Sequence, residues 1–425
     1  MRKLFTTLFI LVSITTHSQT LYFPPLTGNT WDTLSSSSLG WCTDRVDSLY
    51  KYLQQQNSKA FIVLKDGKIV LEKYFGSFTQ DSLWYWASAG KTITSFLIGK
   101  AQEQGYLSIS DRSSKFLGEG WTSCTRQQED SISIRHQLTM STGLDDAVPD
   151  NHCTLPSCLL YAATAGSRWA YHNAPYTLLE KVIEQATAQN INVYTQSALK
   201  TRTGITGLWA TVGYDNVYYS KARNMARFGL FMQNKCIWNN DTLLHDSVYI
   251  HDMLNTSQQL NYAYGYLWWL NAKGSYMVPS SQLIIPGSYA PAAPADMYAA
   301  IGKNGQIISI VPSQGLVVVR MGEESGSEVP FLLCDNIWQR LNYVMCSSTV
   351  RNTYTFIGTG NWDNPLNWSN GLVPPLILPA GDQIVIYPLL SGECVLNVNQ
   401  TILPGAGLFV VANKKMRVTG SLNIQ

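Results

Sequence analysis

The chain is poor in the patterns that most simply explain an enzyme. Its six histidines include no H-E-x-x-H, and His245 and His251 lack an acidic partner at metal-ligand spacing, which argues against a metallohydrolase. No metal or other cofactor is expected. Charge is also scarce: 14% of the residues are charged, the net charge is +2, and Lys and Arg are scattered. No basic face is therefore available for nucleic acid or a membrane surface. Beyond the first residues no apolar run is long enough to span a membrane. No cysteine precedes Cys42, which argues against a lipid anchor.

What is present begins with a leader pattern. Arg2 and Lys3 precede an apolar stretch from Leu4 to Ile14, and Thr16-His17-Ser18 offers small residues at the two positions that define a cleavage site. Residues 1–18 read as a signal peptide, which implies an exported protein, whether periplasmic, cell-surface or secreted. Export permits disulfides among the eight cysteines. Cys153 and Cys158 bracket a short loop containing Pro156 and are the expected local pair; Cys334 and Cys346 flank the last helix of the main domain.

At 425 residues and 45% hydrophobic content the chain can bury a large core and holds more than one domain. Asp44 to Gln56 reads as a helix. Ala60 to Leu64 and Lys68 to Tyr74, joined by Asp66-Gly67, read as a hairpin. From Ser88 to about Gln233 the pattern is mostly helical, with loops at Cys124 to Asp130 and Asp145 to Pro156. Strands resume at Tyr298 to Ile301, Gln306 to Val311 and Leu316 to Met321, and a helix from Val329 to Val344 closes the domain. Strands at both ends of a helical middle predict an α+β fold: one antiparallel sheet built from the N- and C-terminal segments, flanked by helices, with a helical subdomain beside it. Residues 19–346 form this domain and 347–353 a linker. Residues 354–425 show only short β runs cut by Gly, Pro and Asn, which predicts a small all-β unit, a sandwich or the start of a β-solenoid.

Three short signatures carry chemistry. Ser88-Ala89-Gly90-Lys91 follows an aromatic, strand-like approach at Trp84 to Ala87 and opens a helix whose apolar residues Ile93, Phe96, Leu97 and Ala101 share one face. Ser88 and Lys91 then lie one turn apart, where an amine can reach a hydroxyl, and N–H groups at the helix start favour negative charge on the serine oxygen. Tyr171-His172-Asn173 and Lys303-Asn304-Gly305 follow in order. A serine hydroxyl needs a neighbouring base and donors for the oxyanion, and lysine with tyrosine can supply the base. Ser48 with Lys51 and Ser197 with Lys200 also fit S-x-x-K, and Tyr214-Asp215-Asn216 also fits Y-x-N, but neither of those serines has the matching approach.

Together with Ile134 to Leu144, Ser220 to Gly229 and Tyr264 to Trp269, these signatures resemble the serine β-lactamase and penicillin-binding-protein superfamily, with the order and spacing of its class C branch and the esterase and amide-hydrolase relatives. The resemblance runs from about Gly40 to Val344. It implies that Ser88 becomes acylated, that Lys91 takes or relays the proton, with its pKa lowered by burial near Lys303, and that Tyr171 is the base for attack and the acid for the leaving group, with phenolate character favoured by nearby positive charge. It implies that Asn173 binds Lys91 and a substrate amide, that the N–H groups of Ser88 and Gln306 form the oxyanion hole, and that Gly305 leaves room for substrate along the edge strand. Asn304 stands where relatives carry a hydroxyl that holds a substrate carboxylate, which favours esters, amides or peptides over β-lactams. No class A deacylation glutamate is visible.

The substrate expected is a small molecule or peptide. The reading from another class is a catalytically inactive protein on the same scaffold that binds peptides or cell-wall fragments. The C-terminal unit is a candidate for contact with glycan or the cell surface, because Trp362 and Trp368 could stack on sugar rings; the competing reading places both in its core. Tyr264, Trp268 and Trp269 divide equally between cleft and core.

Overall fold

In the computed structural model the described residues are 21–324, 329–346, 352–369, 371–379, 382–403 and 406–425. The expected leader and most of the expected linker lie outside them. Among the described residues no helix is long and apolar enough to cross a membrane.

Alternation and turn chemistry build the centre of the main domain. Helix α1 (Val46–Gln55) precedes strands β1 (Ser58–Lys65) and β2 (Lys68–Tyr74), with Asp66 and Gly67 both at positive φ in the turn between them. The chain returns to this sheet some 200 residues later through β6 (Trp269–Leu270), β7 (Tyr298–Gly302), β8 (Gln306–Val311) and β9 (Leu316–Gly322). Between the two visits lie β3 (Trp84–Tyr85), helices α2 (Lys91–Glu103) and α3 (Asn173–Thr187), the hairpin β4 (Leu208–Val212) and β5 (Asp215–Ser220), and α4 (Ala222–Gln233). The sheet order is β2-β1-β9-β8-β7-β6, antiparallel throughout. Its middle strands are buried on both faces, because α4 covers one side while α1 and the closing helix α5 (Pro330–Val344) cover the other.

Two features differ from the expectations and have local causes. The expected loop at Cys124 to Asp130 contains a short helix, Arg126–Asp130, started by a reciprocal capping box between Thr125 and Gln128. The helical middle is also interrupted by the β4–β5 hairpin, which pairs with β3 to give a separate three-stranded sheet. The disulfide Cys153–Cys158 forms as expected. Cys346 pairs with Cys42, 304 residues away, tying the start of the domain to the end of α5, while Cys334 stays buried and free.

The C-terminal strands resolve as a β-solenoid. Each coil gives one strand to each of three parallel sheets: Thr353–Phe356, Gln383–Ile386 and Gly407–Val410 in the first, Gly360–Asn361, Glu393–Leu396 and Lys415–Val418 in the second, and Ile377–Leu378, Asn399–Ile402 and Ser421–Ile424 in the third. Parallel pairing between successive coils rules out the antiparallel sandwich. The coils enclose their own core, in which Trp362 and Trp368 meet edge to face with centroids 4.9 Å apart. The Trp368 indole N–H donates to the Trp362 carbonyl at 2.7 Å. Both rings are buried, so neither face is open to a sugar. Trp362→Ala is expected to cost about 3–5 kcal/mol, visible as faster protease cleavage within residues 352–425 of the full-length protein.

Candidate active site

The serine sits on a tight turn held from behind. Trp86 is fully buried; its indole N–H donates to Ser220 Oγ at 2.8 Å and its backbone N–H to the Tyr218 carbonyl at 2.8 Å. This anchors the end of β3 against β5. Ala87 then takes φ 46°, a left-handed conformation that costs a residue with a Cβ roughly 1–3 kcal/mol, and residues Ala87–Gly90 form a 3-10 turn that runs into α2 at Lys91. Ser88 is thereby raised into a cleft of about 490 Å³. Its N–H lies at the start of the turn, where no intrahelical acceptor exists.

Helix α2 explains the state of Lys91. The residues from Lys91 to Ala101 are all buried, so this helix crosses the domain interior and carries its first residue with it. Lys91 is 4% exposed. Its Nζ donates to Asn173 Oδ1 at 3.0 Å and lies 3.7 Å from the centroid of the Tyr176 ring. Burial lowers its pKa from 10.5 to about 7, with the negative charges of Asp215 and Glu180 pulling the other way. Lys303, expected to cause this shift, is exposed at the rim and makes no such contribution.

Tyr171 stands against the serine on an aromatic wall. It is 7% exposed, bonds to the Ser88 side chain, and stacks on Trp269 at 5.9 Å, with Tyr264 edge-on at 6.3 Å. Tyr264, Trp268 and Trp269 are buried core residues rather than cleft walls, and Tyr264 and Trp269 fix the orientation of Tyr171. Burial pushes the Tyr171 phenol above its usual range, Asp215 adds to this, and the bond to Ser88 opposes it. The group rests as a neutral phenol, which corrects the expected phenolate character.

The third signature divides. Lys303-Asn304-Gly305 is the loop of the β7–β8 hairpin, and Asn304 and Gly305 both have positive φ; an Asn-Gly pair between strands suits such a turn. Lys303 and Asn304 line the cleft, where Asn304 Nδ2 donates to the Tyr85 hydroxyl at 2.8 Å. Gly305 faces the other way: a Cβ there would run into Leu333 and the Arg320 guanidinium, so it makes room for protein and not for substrate. Gln306 is fully buried on an inner strand opposite Gly302, and its side chain donates to the Gly322 carbonyl at 2.6 Å. Its N–H therefore belongs to the sheet interior, not to an oxyanion hole. The backbone that approaches Ser88 is Gly302, where a Cβ would come within 2.6 Å of the Trp86 carbonyl and 3.0 Å of Ser88 N. Strand β6 pairs with β7 at Tyr298 and Ala299, so among the described residues the end of β7 has a free edge beside the serine. Gly302→Ala must push that edge away from backbone that cannot yield, and turnover is expected to fall about 100-fold, read from kcat on any accepted acyl substrate.

Several residues at the site were not singled out from the sequence. Helix α3 presents Asn173, Tyr176, Thr177 and Glu180 at i, i+3, i+4 and i+7, a polar stripe on one face. Asn173 Nδ2 donates to Asn151 Oδ1 at 2.7 Å, which turns its carbonyl to Lys91. Next to Asn151, His152 lies with Nδ1 2.6 Å from Asp215 Oδ2, and Thr177 donates to Asp215 Oδ1 at 3.2 Å. Desolvation raises the Asp215 carboxyl, but His152, Lys91 and Thr177 together outweigh it and the group stays below its usual range. Asp215 and Asn216 belong to the second Y-x-N match, and His152 precedes the cysteine bracket; those were the signals available.

Comparison with known proteins agrees with the fold of the main domain. The beta-lactamase family model matches residues 46–334. An uncharacterised protein of Alkalihalophilus pseudofirmus is 23% identical over 306 residues, 63% of this chain and 84% of its own length. Among solved structures, the chain is similar to a putative 6-aminohexanoate-dimer hydrolase from Bacillus anthracis (TM-score 0.58, 15% identity, 74% of this chain and 87% of that one). It is also similar to a putative beta-lactamase from Bacteroides dorei (TM-score 0.58, 16% identity, 75% of this chain and all of that one).

Proposed function

Because the chain belongs to the beta-lactamase family, whose members are serine hydrolases, we propose that it is an exported hydrolase that opens an ester, amide or peptide bond through an acyl-enzyme on Ser88. The observation that carries this reading is the approach of two distant segments: the Tyr171 phenol has the Ser88 hydroxyl as a hydrogen-bonding neighbour, and Lys91, one turn beyond the serine, is buried and bonded to Asn173. A lysine held near pKa 7 is half free amine at neutral pH.

Attack forms a bond from Ser88 Oγ to the substrate carbonyl carbon. The hydroxyl proton passes to the Lys91 amine, directly or through the Tyr171 phenol, and the carbonyl oxygen takes the negative charge. In this reading Ser88 N–H and the free edge at the end of β7 receive that oxyanion. Tyr171, a neutral phenol, then gives a proton to the leaving group. Water attacks the acyl carbon by the same route in reverse and restores Ser88. The cleft walls include Tyr176, Tyr219, Val212 and Val217, which suits an acyl group with an apolar body. The leader pattern at residues 1–18 supports export.

The test is a covalent adduct. Full-length protein is incubated with a fluorophosphonate and, separately, a fluorescent penicillin, and the modified peptide is located by mass spectrometry. An adduct on Ser88, with hydrolysis of ester or amide panels, supports the enzyme; no adduct with either probe and no turnover favours the inactive binding protein.

A further inference from the structure

The segment from Asp150 to Cys158 brings to Asn173 more than the contact with Asn151. His152 lies on the cleft wall, and its two ring nitrogens face two different partners: Nδ1 is 2.6 Å from Asp215 Oδ2 and Nε2 is 3.3 Å from Asn173 Nδ2. An ionised carboxylate can only accept, so Nδ1 carries the ring hydrogen, and in a neutral imidazole Nε2 is then left as an acceptor. Asn173 Nδ2 has two hydrogens. One goes to Asn151 Oδ1 at 2.7 Å and the other meets His152 Nε2. Both residues thus hold the amide on its nitrogen side, and its carbonyl oxygen faces Lys91 Nζ at 3.0 Å. The segment that carries the two residues is itself anchored. The Asn151 carbonyl accepts from Ala174 N–H at 3.0 Å, Asn151 Nδ2 donates to the Tyr171 carbonyl at 3.2 Å, His152 N–H donates to Asp150 Oδ1 at 2.9 Å, and the Cys153–Cys158 disulfide closes the chain directly after His152.

We propose that His152, set by Asp215, is a positioning residue for acyl transfer: it fixes the place and direction of the Asn173 amide and so keeps the Lys91 lone pair free for the serine. This rests on Ser88 being the nucleophile. A free amine has two N–H donors and one lone pair. With the Asn173 carbonyl turned to it, Lys91 spends an N–H on the contact and keeps the lone pair for the Ser88 proton. With the amide reversed, an Asn173 N–H would point at that lone pair and occupy it. An amide is nearly the same shape either way round, so what decides its direction is the set of acceptors around the nitrogen, Asn151 Oδ1 and His152 Nε2. The order of polarity runs without a break from the Asp215 carboxylate through the imidazole and the amide to the amine. Thr177 on α3 holds the far end of that chain by donating to Asp215 Oδ1 at 3.2 Å.

The experiment needs no natural substrate: the rate of Ser88 modification by a fluorophosphonate is measured in the full-length protein at about pH 8, where an ordinary imidazole is neutral. His152→Phe keeps a flat ring and removes both nitrogens. Labelling is expected to slow about 10-fold, because the amide and the amine bonded to it lose their fixed place. The melting temperature should hardly move, since the His152 side chain is 47% exposed. In the Asn173→Ala protein the same substitution is expected to slow labelling by less than about 2-fold, because the residue through which His152 acts is gone. His152→Gln supplies an oxygen to accept from Asn173 and an N–H for Asp215, and should bring the rate back to within about 3-fold of wild type. Equal losses in the two backgrounds, which a structural role or a direct part in the chemistry would give, overturn the proposal, as does a His152→Gln protein as slow as His152→Phe. If Asn173→Ala does not label at all, or His152→Phe fails to fold, His152→Gln against His152→Leu decides. Absence of Ser88 labelling in wild type sinks the serine reading as well, whereas normal labelling in wild type and His152→Phe alike rejects the role of His152 alone.

Discussion

Ser88→Ala is expected to remove covalent labelling entirely and to lower kcat/KM on the order of 10⁵-fold or more, the scale on which serine hydrolases lose turnover when the nucleophile is deleted. Such a loss corresponds to roughly 7 kcal/mol of transition-state stabilisation. The fold should hardly respond. Ser88 is half-buried in the cleft wall, and loss of the interaction between its hydroxyl and the Tyr171 phenol costs about 1 kcal/mol. The pair of measurements, turnover and melting temperature, separates a catalytic from a structural serine. Retained hydrolysis in a folded Ser88→Ala protein would place the nucleophile elsewhere.

Lys91→Met should divide activity from stability in the opposite sense. Methionine has nearly the length of lysine and needs no partner in a buried site. Turnover is expected to fall about 10²- to 10⁴-fold with the loss of the proton acceptor, while the protein becomes more stable at mildly acidic pH. Lys91 titrates at 10.5 in the unfolded chain and at about 7 in the fold, so the unfolded chain binds the proton more tightly. Stability conferred at this position therefore rises with pH across that window and is lowest below pH 7. The shift sets an upper limit of roughly 5 kcal/mol on the burden removed. The hydrogen bond to Asn173 and the contact with the Tyr176 ring, both lost with the amine, leave a net gain of about 2 kcal/mol at pH 6. At pH 9 the gain should shrink by more than half, because the folded protein then already holds Lys91 neutral. Denaturant titrations at the two pH values check both sign and size. A variant that is less stable than wild type at pH 6 would show that the amine is held by more than burial.

How much of this was legible beforehand depended on the range of the interaction involved. The hairpin at Asp66-Gly67, the strands from Tyr298 to Met321 and the closing helix follow from turn chemistry and periodicity over ten or so residues, and they appear where the sequence places them. Ser88 and Lys91, one turn apart, are equally local. The Cys42–Cys346 bond, 304 residues across, is not. The K-N-G signature shows the boundary most clearly. The family resemblance implied a role for all three residues and for the following Gln306, yet the hairpin loop turns Lys303 and Asn304 to the cleft and Gly305 to Arg320 and Leu333, and Gln306 is interior. An Asn-Gly pair at positive φ reverses direction within two residues, so a motif read as a line splits across two faces of the sheet.

The sequence alone determined the first hairpin, the returning strands and the closing helix, that a serine and a lysine share one helical turn, and that a β unit follows the main domain, because each of these depends on neighbours along the chain. Only the tertiary structure decided which side chains surround that lysine, which backbone edge faces the serine, and which way the Trp362 and Trp368 rings point. Burial and close approach are properties of packed surfaces, and the residues whose charges act on Lys91 come from α3 and β5, the farther of them, Asp215, 124 positions along the chain.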